Sequence, residues 1–179
     1  MIIIYNCYGG THSSILCSAV HLGILSKFRF PSNKEILSLK YFNNLKYKDM
    51  GRLIFHGKDN EGNSVYTIGR GTSKALIPAM QNLLLAIYNE QSINESFIFI
   101  NSSPTVPLSM TFGGFFSRGL GIDFIGVPLL LLGTKKAWSD ILELVEKTKN
   151  LCRDHPHKSL IINIDKKGRV SFMSPTDLS

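Results

Sequence analysis

Cysteine is scarce in this sequence, and its three residues form no recognisable framework. Cys7, Cys17 and Cys152 are odd in number, and no pair of them has CxxC spacing. This usage is typical of a reducing compartment and argues against a disulfide scaffold or a zinc knuckle. The five histidines include no HExxH motif, so the sequence predicts no metal site.

A long hydrophobic run is also missing. The longest apolar stretch, residues 124–132, contains Gly126 and Pro128 and is about half as long as a bilayer-spanning helix. The N-terminus opens with a strand-like run and has neither a basic region nor an A-x-A cleavage site, so no signal peptide is expected. We therefore expect a cytoplasmic protein without a membrane span.

Acidic residues are fewer than basic ones, and the net charge is +7. The imbalance is greatest in the basic segment, residues 27–52, where only Glu35 and Asp49 oppose a larger set of cations, namely Lys27, Arg29, Lys34, Lys40, Lys46, Lys48 and Arg52. Such a surface attracts phosphorylated ligands, acidic proteins and nucleic acid. Aromatic residues are interleaved with the cations, so RNA binding is one interpretation. A solvated face above core aromatics is the other.

Strand-like and helix-like segments alternate along the 179 residues, whose 44% hydrophobic content is ordinary for a globular protein. The length suits one domain over residues 1–179. Parallel strands need crossover connections, so the alternation predicts a three-layer α/β/α fold with a mainly parallel central sheet. Strand-like segments at 52–56 with 64–68, and at 160–164 with 170–173, predict antiparallel hairpins, the second at the sheet edge.

The first twenty-odd residues carry the clearest pattern. Three isoleucines and Tyr5 predict a buried strand, and the N-terminal loop, residues 7–14, is small, polar and rich in glycine. Apolar residues at helical spacing follow it. Strand, glycine-rich turn and helix bring backbone N–H groups and a helix N-terminus to the end of a central strand. That arrangement is typical of an anion site.

The same order of strand, polar turn and helix recurs twice. The second strand of the first hairpin leads into Arg70 and Lys74, and a helix follows. A buried strand at 127–132 leads into Thr134 and Lys135, ahead of another helix. Because ligands of open parallel sheets bind beyond the carboxyl ends of the strands, we expect these turns to lie on one edge with the N-terminal loop.

A further central strand is predicted at 97–100, and it ends in a cluster of hydroxyl side chains that includes Ser102. The next segment, residues 106–120, is apolar, interrupted by glycines, and carries Arg118. It predicts a short, imperfect helix. Its glycines either serve as hinges of a lid or allow tight packing.

The run Cys7-x-x-Gly10-x-x-Ser13-Ser14 resembles the C-x-x-G-x-x-[ST]-[ST] loop of the sugar-phosphotransferase enzyme IIB proteins. The resemblance implies that Cys7 accepts a phosphoryl group while the amides around Gly10 to Ser14 hold its oxygens. A cysteine facing a helix N-terminus is also favoured as a thiolate nucleophile. The loop is similar to the C-x5-R loop of low-molecular-weight phosphatases as well. There Ser13 replaces the arginine, which argues against phosphatase action.

A degenerate P-loop is the second template for the N-terminal loop. Asn6 occupies the first glycine position, His12 the lysine position and Ser13 the [ST] position. Histidine is shorter than lysine and mostly neutral, so nucleotide hydrolysis is not expected even if the phosphate-binding shape survives. Structural roles remain open for both residues: Cys7 as a small buried hydrophobe, and His12 as a helix cap.

Three runs together, YNCYGGTHSS at 5–14, GGFFSRGLG at 113–121 and LGTKKA at 132–137, resemble a domain-of-unknown-function family of spore-forming Firmicutes. The similarity extends over most of the chain, and the N-terminal loop is its most distinctive part. It implies a bacterial cytoplasmic protein and brings no established activity.

We therefore expect the chain to bind a phosphate-containing small molecule or a nucleotide at the N-terminal loop. Cys7 and His12 are the candidate catalytic residues, and whether the protein is an enzyme stays open. The expected ligand-binding residues are Gly9, Gly10, Thr11, Ser13, Ser14, Arg70, Lys74, Ser102, Arg118, Thr134 and Lys135. The alternative is a non-catalytic adaptor that binds RNA or an acidic protein through the basic segment. The sequence names neither a cofactor nor an oligomeric state.

Overall fold

The computed structural model describes residues 1–90, 94–156 and 159–174. In these ranges one six-stranded sheet has the order β2-β3-β1-β4-β5-β6. The strands are β1 (Ile2–Cys7), β2 (Ile54–Lys58), β3 (Ser64–Gly69), β4 (Phe97–Asn101), β5 (Ile161–Ile164) and β6 (Val170–Met173).

The centre of the sheet is parallel and its two edges are antiparallel. β1 pairs in parallel with β3 and β4, and β4 pairs in parallel with β5. β2 and β6 are added through hairpins. This confirms the predicted mainly parallel sheet with antiparallel hairpins. The carboxyl ends of β1, β3 and β4 consequently lie side by side, so the residues that follow them meet at one edge.

Helices cover both faces of the sheet. They are α1 (Ser13–His21), α2 (Asn33–Leu37), α3 (Leu76–Glu90), α4 (Leu108–Gly114) and α5 (Asp123–Asp154). Alternating residues of β1 serve opposite faces. Ile3 lies in the core shared with α1 and α5, whereas Ile4 lies in the core shared with α3. The two cores make the predicted three-layer α/β/α arrangement.

The strand predicted at 127–132 is wrong, because these residues lie inside α5, a helix of 32 residues. The buried positions Gly126, Leu130, Gly133 and Ala137 recur every three or four residues, which is the spacing of one helix face. Leucines that are partly buried or exposed lie between them, and Leu132 is 46% exposed. A continuous apolar run therefore concealed a helical period.

The glycine-rich segment 106–120 forms α4, which continues into a π-helical turn at Phe115–Gly119. A Cβ atom on Gly113 would lie 2.7 Å from the backbone nitrogen of Leu130, and one on Gly133 would lie 2.7 Å from that of Met110. The glycines thus let α4 and α5 approach backbone to backbone. This geometry favours the tight-packing interpretation of the segment. In the described ranges, no helix has the length and apolar character needed to cross a membrane.

Candidate functional site

A cleft of about 950 Å³ opens beyond the carboxyl ends of the central strands. The N-terminal loop forms one wall, residues 45–50 form the second, and residues 106–121 of α4 and the π-helical turn form the third. Arg70, which follows β3, and Ser103, which follows β4, lie at its base. The position agrees with the general place of ligands in open α/β sheets.

Cys7, the last residue of β1, lines this cleft while remaining 95% buried, since its exposed fraction is 5%. The backbone N–H of Gly10 donates a hydrogen bond to Cys7 Sγ at 3.2 Å. The hydroxyl of Ser14, in the first turn of α1, lies 3.2 Å from the same sulfur. Cys7 is therefore held by polar groups rather than by a purely apolar pocket.

The N-terminal loop is fixed against the end of β3 by close backbone packing. Gly10 has φ +67°, and a Cβ atom there would lie 2.5 Å from the backbone nitrogen of Gly69. The amide of Arg70 donates to Cys7 O at 3.0 Å, and that of Gly71 donates to Tyr8 O at 2.9 Å. These contacts set the two polar turns beside each other, as the sequence predicted for Arg70.

The N-terminus of α1 is left without a side-chain cap. His12 occupies the N-cap position and makes no capping hydrogen bond, and the first turn holds no acidic residue. Among the described residues, no hydrogen-bond acceptor serves the backbone amides of Thr11 and His12. The Thr11 hydroxyl instead donates to Tyr41 O at 2.7 Å, which ties the loop to the segment that carries the second wall. Uncapped N–H groups at a helix start attract anions.

A chain of hydrogen bonds connects the N-terminal loop with the third wall. His12 Nε2 lies 3.2 Å from Asn43 Oδ1, and Asn43 Nδ2 donates to Ser117 Oγ at 2.6 Å. The Ser117 hydroxyl then donates to Asp123 Oδ1. Burial lowers the pKa of His12 to about 4, so the ring is neutral near pH 7 and Nε2 carries the donated proton. His12 therefore cannot supply the positive charge of a P-loop lysine.

Arg70 brings an incompletely paired guanidinium to the base of the cleft. One terminal nitrogen donates to Ser103 Oγ at 3.2 Å. Its Nε is buried and has no hydrogen-bond partner among the described residues. Among the described residues, Arg70 forms no ion pair. A buried donor without an acceptor is costly. Arg70 lines the cleft, and the one side-chain hydrogen bond of its guanidinium among the described residues is that to Ser103.

Three other predicted site residues differ in their relation to the cleft: Ser102 lies beneath it, Lys74 lies outside it and Arg118 lines it. The Ser13 and Ser102 hydroxyls are 3.1 Å apart and fully buried, so Ser102 supports the loop from below. Lys74 is exposed and does not line the cleft. Arg118 lines it, but its guanidinium donates to Leu45 O at 2.7 and 3.1 Å.

Thr134 and Lys135 require a correction, because the turn predicted for them does not exist. Both lie within α5, and neither lines the cleft. The Thr134 hydroxyl is fully buried and donates to Leu130 O at 2.9 Å, one helical turn earlier. Lys135 is exposed on the same helix. The anion site predicted here required a turn after that strand, so it is wrong for the same reason as the strand.

Several residues that line the cleft were not among the predicted ligand-binding residues, although Lys46 belongs to the basic segment and Ser103 to the hydroxyl cluster after β4. They are Lys46, Tyr47, Met50, Ser103, Thr111 and Phe115. The segment that brings Tyr47 to the cleft turns through two left-handed residues, Tyr41 with φ +72° and Asn43 with φ +50°. Asparagine tolerates that conformation, so the Asn43-Asn44 pair was the only local sign of this turn.

The basic segment is partly neutralised by carboxylates. Arg29 pairs with Glu35 at 2.5 Å and Lys27 with Glu146 at 3.7 Å. Glu35 also forms a capping box with Ser32 at the start of α2. The adaptor alternative therefore has fewer free cations than the sequence suggested, and it stays a prediction.

One family model matches the chain over residues 2–150, and its description is "Protein of unknown function (DUF3189)". This range includes every residue that lines the cleft. No curated protein and no solved structure matches the chain. In the described ranges, no group of three or more His, Cys, Asp or Glu residues is arranged to hold a metal ion.

Proposed function

We propose that this chain, which belongs to the DUF3189 family of proteins of unknown function, binds the phosphate group of a small molecule or nucleotide in its cleft. The observation that carries the proposal is the guanidinium of Arg70, a residue that lines the cleft and has one side-chain hydrogen bond, to Ser103, and no ion pair among the described residues. The same cleft is lined by the N-terminal loop. A guanidinium with a free N–H fits a phosphate oxygen in geometry and in charge.

The helix start opposite Arg70 supports the same ligand chemistry. The amides of Thr11 and His12 have no acceptor among the described residues, and α1 has neither a side-chain cap nor an acidic residue in its first turn. A phosphate at this place would accept hydrogen bonds from backbone amides and meet the positive end of the helix dipole. Gly9, Thr11 and Ser13 line the cleft on this side.

Thermal unfolding with added phosphate compounds tests this proposal. We expect inorganic phosphate, pyrophosphate or ribose 5-phosphate at millimolar concentration to raise Tm, because each binds only the folded chain. At ten times Kd the gain is about 1.4 kcal/mol, which corresponds to roughly 3–6 °C for a chain of this size. Sodium chloride at equal ionic strength is the control. Absence of any stabilisation beyond that of the salt would contradict the proposal.

A second candidate function, favoured by the contacts of Cys7, is nucleophilic attack on the bound phosphoryl group. The Gly10 N–H points at Sγ, and the sulfur lines the cleft beside Arg70. In such a step the thiolate forms an S–P bond while the P–O bond to the leaving group breaks and the leaving oxygen takes the electron pair. The neutral His12 remains a candidate for proton transfer, and its pKa of about 4 makes it a weak base.

Alkylation with iodoacetamide at pH 7 tests the nucleophile. We expect Cys7 to react faster than Cys17 and Cys152, because it lines the cleft, whereas the other two cysteines do not. Burial raises the pKa of Cys17 strongly and that of Cys152 to about 12, so these two thiols serve as slow internal references. Bound phosphate should protect Cys7. Equal rates for the three cysteines, or no protection, would remove the nucleophile and leave the binding proposal intact.

A further inference from the structure

Aromatic side chains stand at the mouth of the cleft on all three of its walls. Tyr8 comes from the N-terminal loop, Tyr47 from the second wall and Phe115 from the π-helical turn. Their exposed fractions are 54%, 80% and 55%. Isolated exposed aromatics are common, but three that line one cavity form an apolar surface of the kind that marks a binding site.

These three side chains make few contacts with the rest of the protein. Among the described residues, neither Tyr8 nor Tyr47 makes an aromatic ring contact, and neither hydroxyl has a hydrogen-bond partner. Phe115 contacts only Phe116, edge to face, with centroids 5.7 Å apart. Some other exposed rings do pack on a neighbour, as Phe55 does on Tyr66 at 5.1 Å and Phe30 on Trp138 at 5.6 Å. The mouth aromatics therefore have free faces.

The size of the cleft indicates a ligand larger than a phosphate. Its volume of about 950 Å³ lies near the upper end of small-molecule sites, which span roughly 300–1,000 Å³. Tyr8 directly follows Cys7 in sequence, so one aromatic ring adjoins the predicted phosphate position. Tyr47 and Phe115 approach from the opposite walls.

We infer that the ligand is a nucleotide, whose phosphate binds at the N-terminal loop and Arg70 and whose base binds among Tyr8, Tyr47 and Phe115, with Tyr47 stacked on one of its faces. This inference rests on the proposed function for the phosphate and adds the class of the attached group. Stacking suits every base because each has a π face. Lys46 lies on the same wall of the cleft as Tyr47, and its positive charge attracts the negatively charged ligand.

Isothermal titration with matched compounds tests the inference. The panel is AMP, GMP, CMP and UMP, with ribose 5-phosphate as the same phosphate lacking a base. We expect at least one nucleotide to bind about tenfold or more tightly than ribose 5-phosphate. Tyr47→Ala should weaken that nucleotide about 5- to 100-fold, since base stacking on one ring has this order of effect. Tyr47→Phe should retain affinity, and ribose 5-phosphate should bind the three proteins equally.

Phe28→Ala is the matched control, because Phe28 is 88% exposed and lies outside the cleft. It should leave nucleotide binding unchanged. Equal affinities for nucleotides and ribose 5-phosphate, with Tyr47→Ala indistinguishable from wild type, would overturn the nucleotide inference and leave phosphate binding in place. Binding of none of the phosphate compounds would overturn the proposed function itself. Tighter, steeply salt-dependent binding of a single-stranded RNA ten-mer would replace the free nucleotide by RNA.

Discussion

Replacing Arg70 with methionine is expected to raise the Kd for inorganic phosphate and for nucleotides by at least about 30-fold, or ~2 kcal/mol. Methionine keeps much of the side-chain volume and removes the charge and the N–H donors. In the wild-type protein the guanidinium forms no ion pair among the described residues, so its contact with a phosphate replaces no internal ion pair. Isothermal titration of both ligands measures the change.

Lys74→Met is the matched control for this prediction. Lys74 lies in the same turn after β3 and carries the same charge, but it is exposed and outside the cleft. We expect its removal to change Kd less than about twofold, because exposed charges at a distance are screened by salt. Arg70→Lys should be intermediate, since lysine retains charge but not the planar fork. Equal effects of Arg70→Met and Lys74→Met would contradict a direct contact between Arg70 and the ligand.

Gly10→Ala is expected to destabilise the fold by about 3 kcal/mol or more, through backbone strain and overpacking together. The new methyl group would lie 2.5 Å from Gly69 N and 2.9 Å from Gly69 Cα, both backbone atoms that cannot turn aside. The φ of +67° adds a conformational cost. Urea unfolding measures the change. Ligand binding should be lost as well, since the N-terminal loop must move.

Gly168→Ala separates the two costs of that substitution. Gly168 has φ +72°, close to that of Gly10, but no atom lies within 4 Å of the position of its missing Cβ. Only the conformational cost of about 1 kcal/mol is therefore expected there. If Gly10→Ala and Gly168→Ala destabilised the protein equally, the close packing of the N-terminal loop on β3 would be contradicted.

Elements whose character is decided locally could be predicted from the sequence. The strands β1 and β4, both hairpins and the start of α2 at Ser32 follow from short-range patterns, and the structure contains them. The start of α5 did not, because four consecutive leucines at 129–132 carry no period. Their burial pattern depends on α4, which contacts this stretch through Gly113. A tertiary contact, rather than local sequence, decides between strand and helix here.

The residues of the cleft also divide into those that the sequence could place and those that it could not. Cys7, the N-terminal loop and Arg70 could be placed together because the ends of adjacent parallel strands must meet. Tyr47 and Phe115 could not, since each reaches the cleft by the path of a loop or by the packing of α4. Lys74, in the predicted turn, is exposed and does not line the cleft, although it lies only four residues beyond Arg70.

The hydrogen-bond chain from His12 to Asp123 has a direction. Each of its three links has its proton on the side of His12, so all the dipoles point towards one carboxylate and reinforce each other. Its four members are separated by up to 111 positions in sequence. Rotation of the His12 imidazole would break the first hydrogen bond of the chain and so affect the others. A ligand that displaced the His12 ring on entering the cleft would therefore break a chain of hydrogen bonds that ends at Asp123, in the first turn of the 32-residue helix α5.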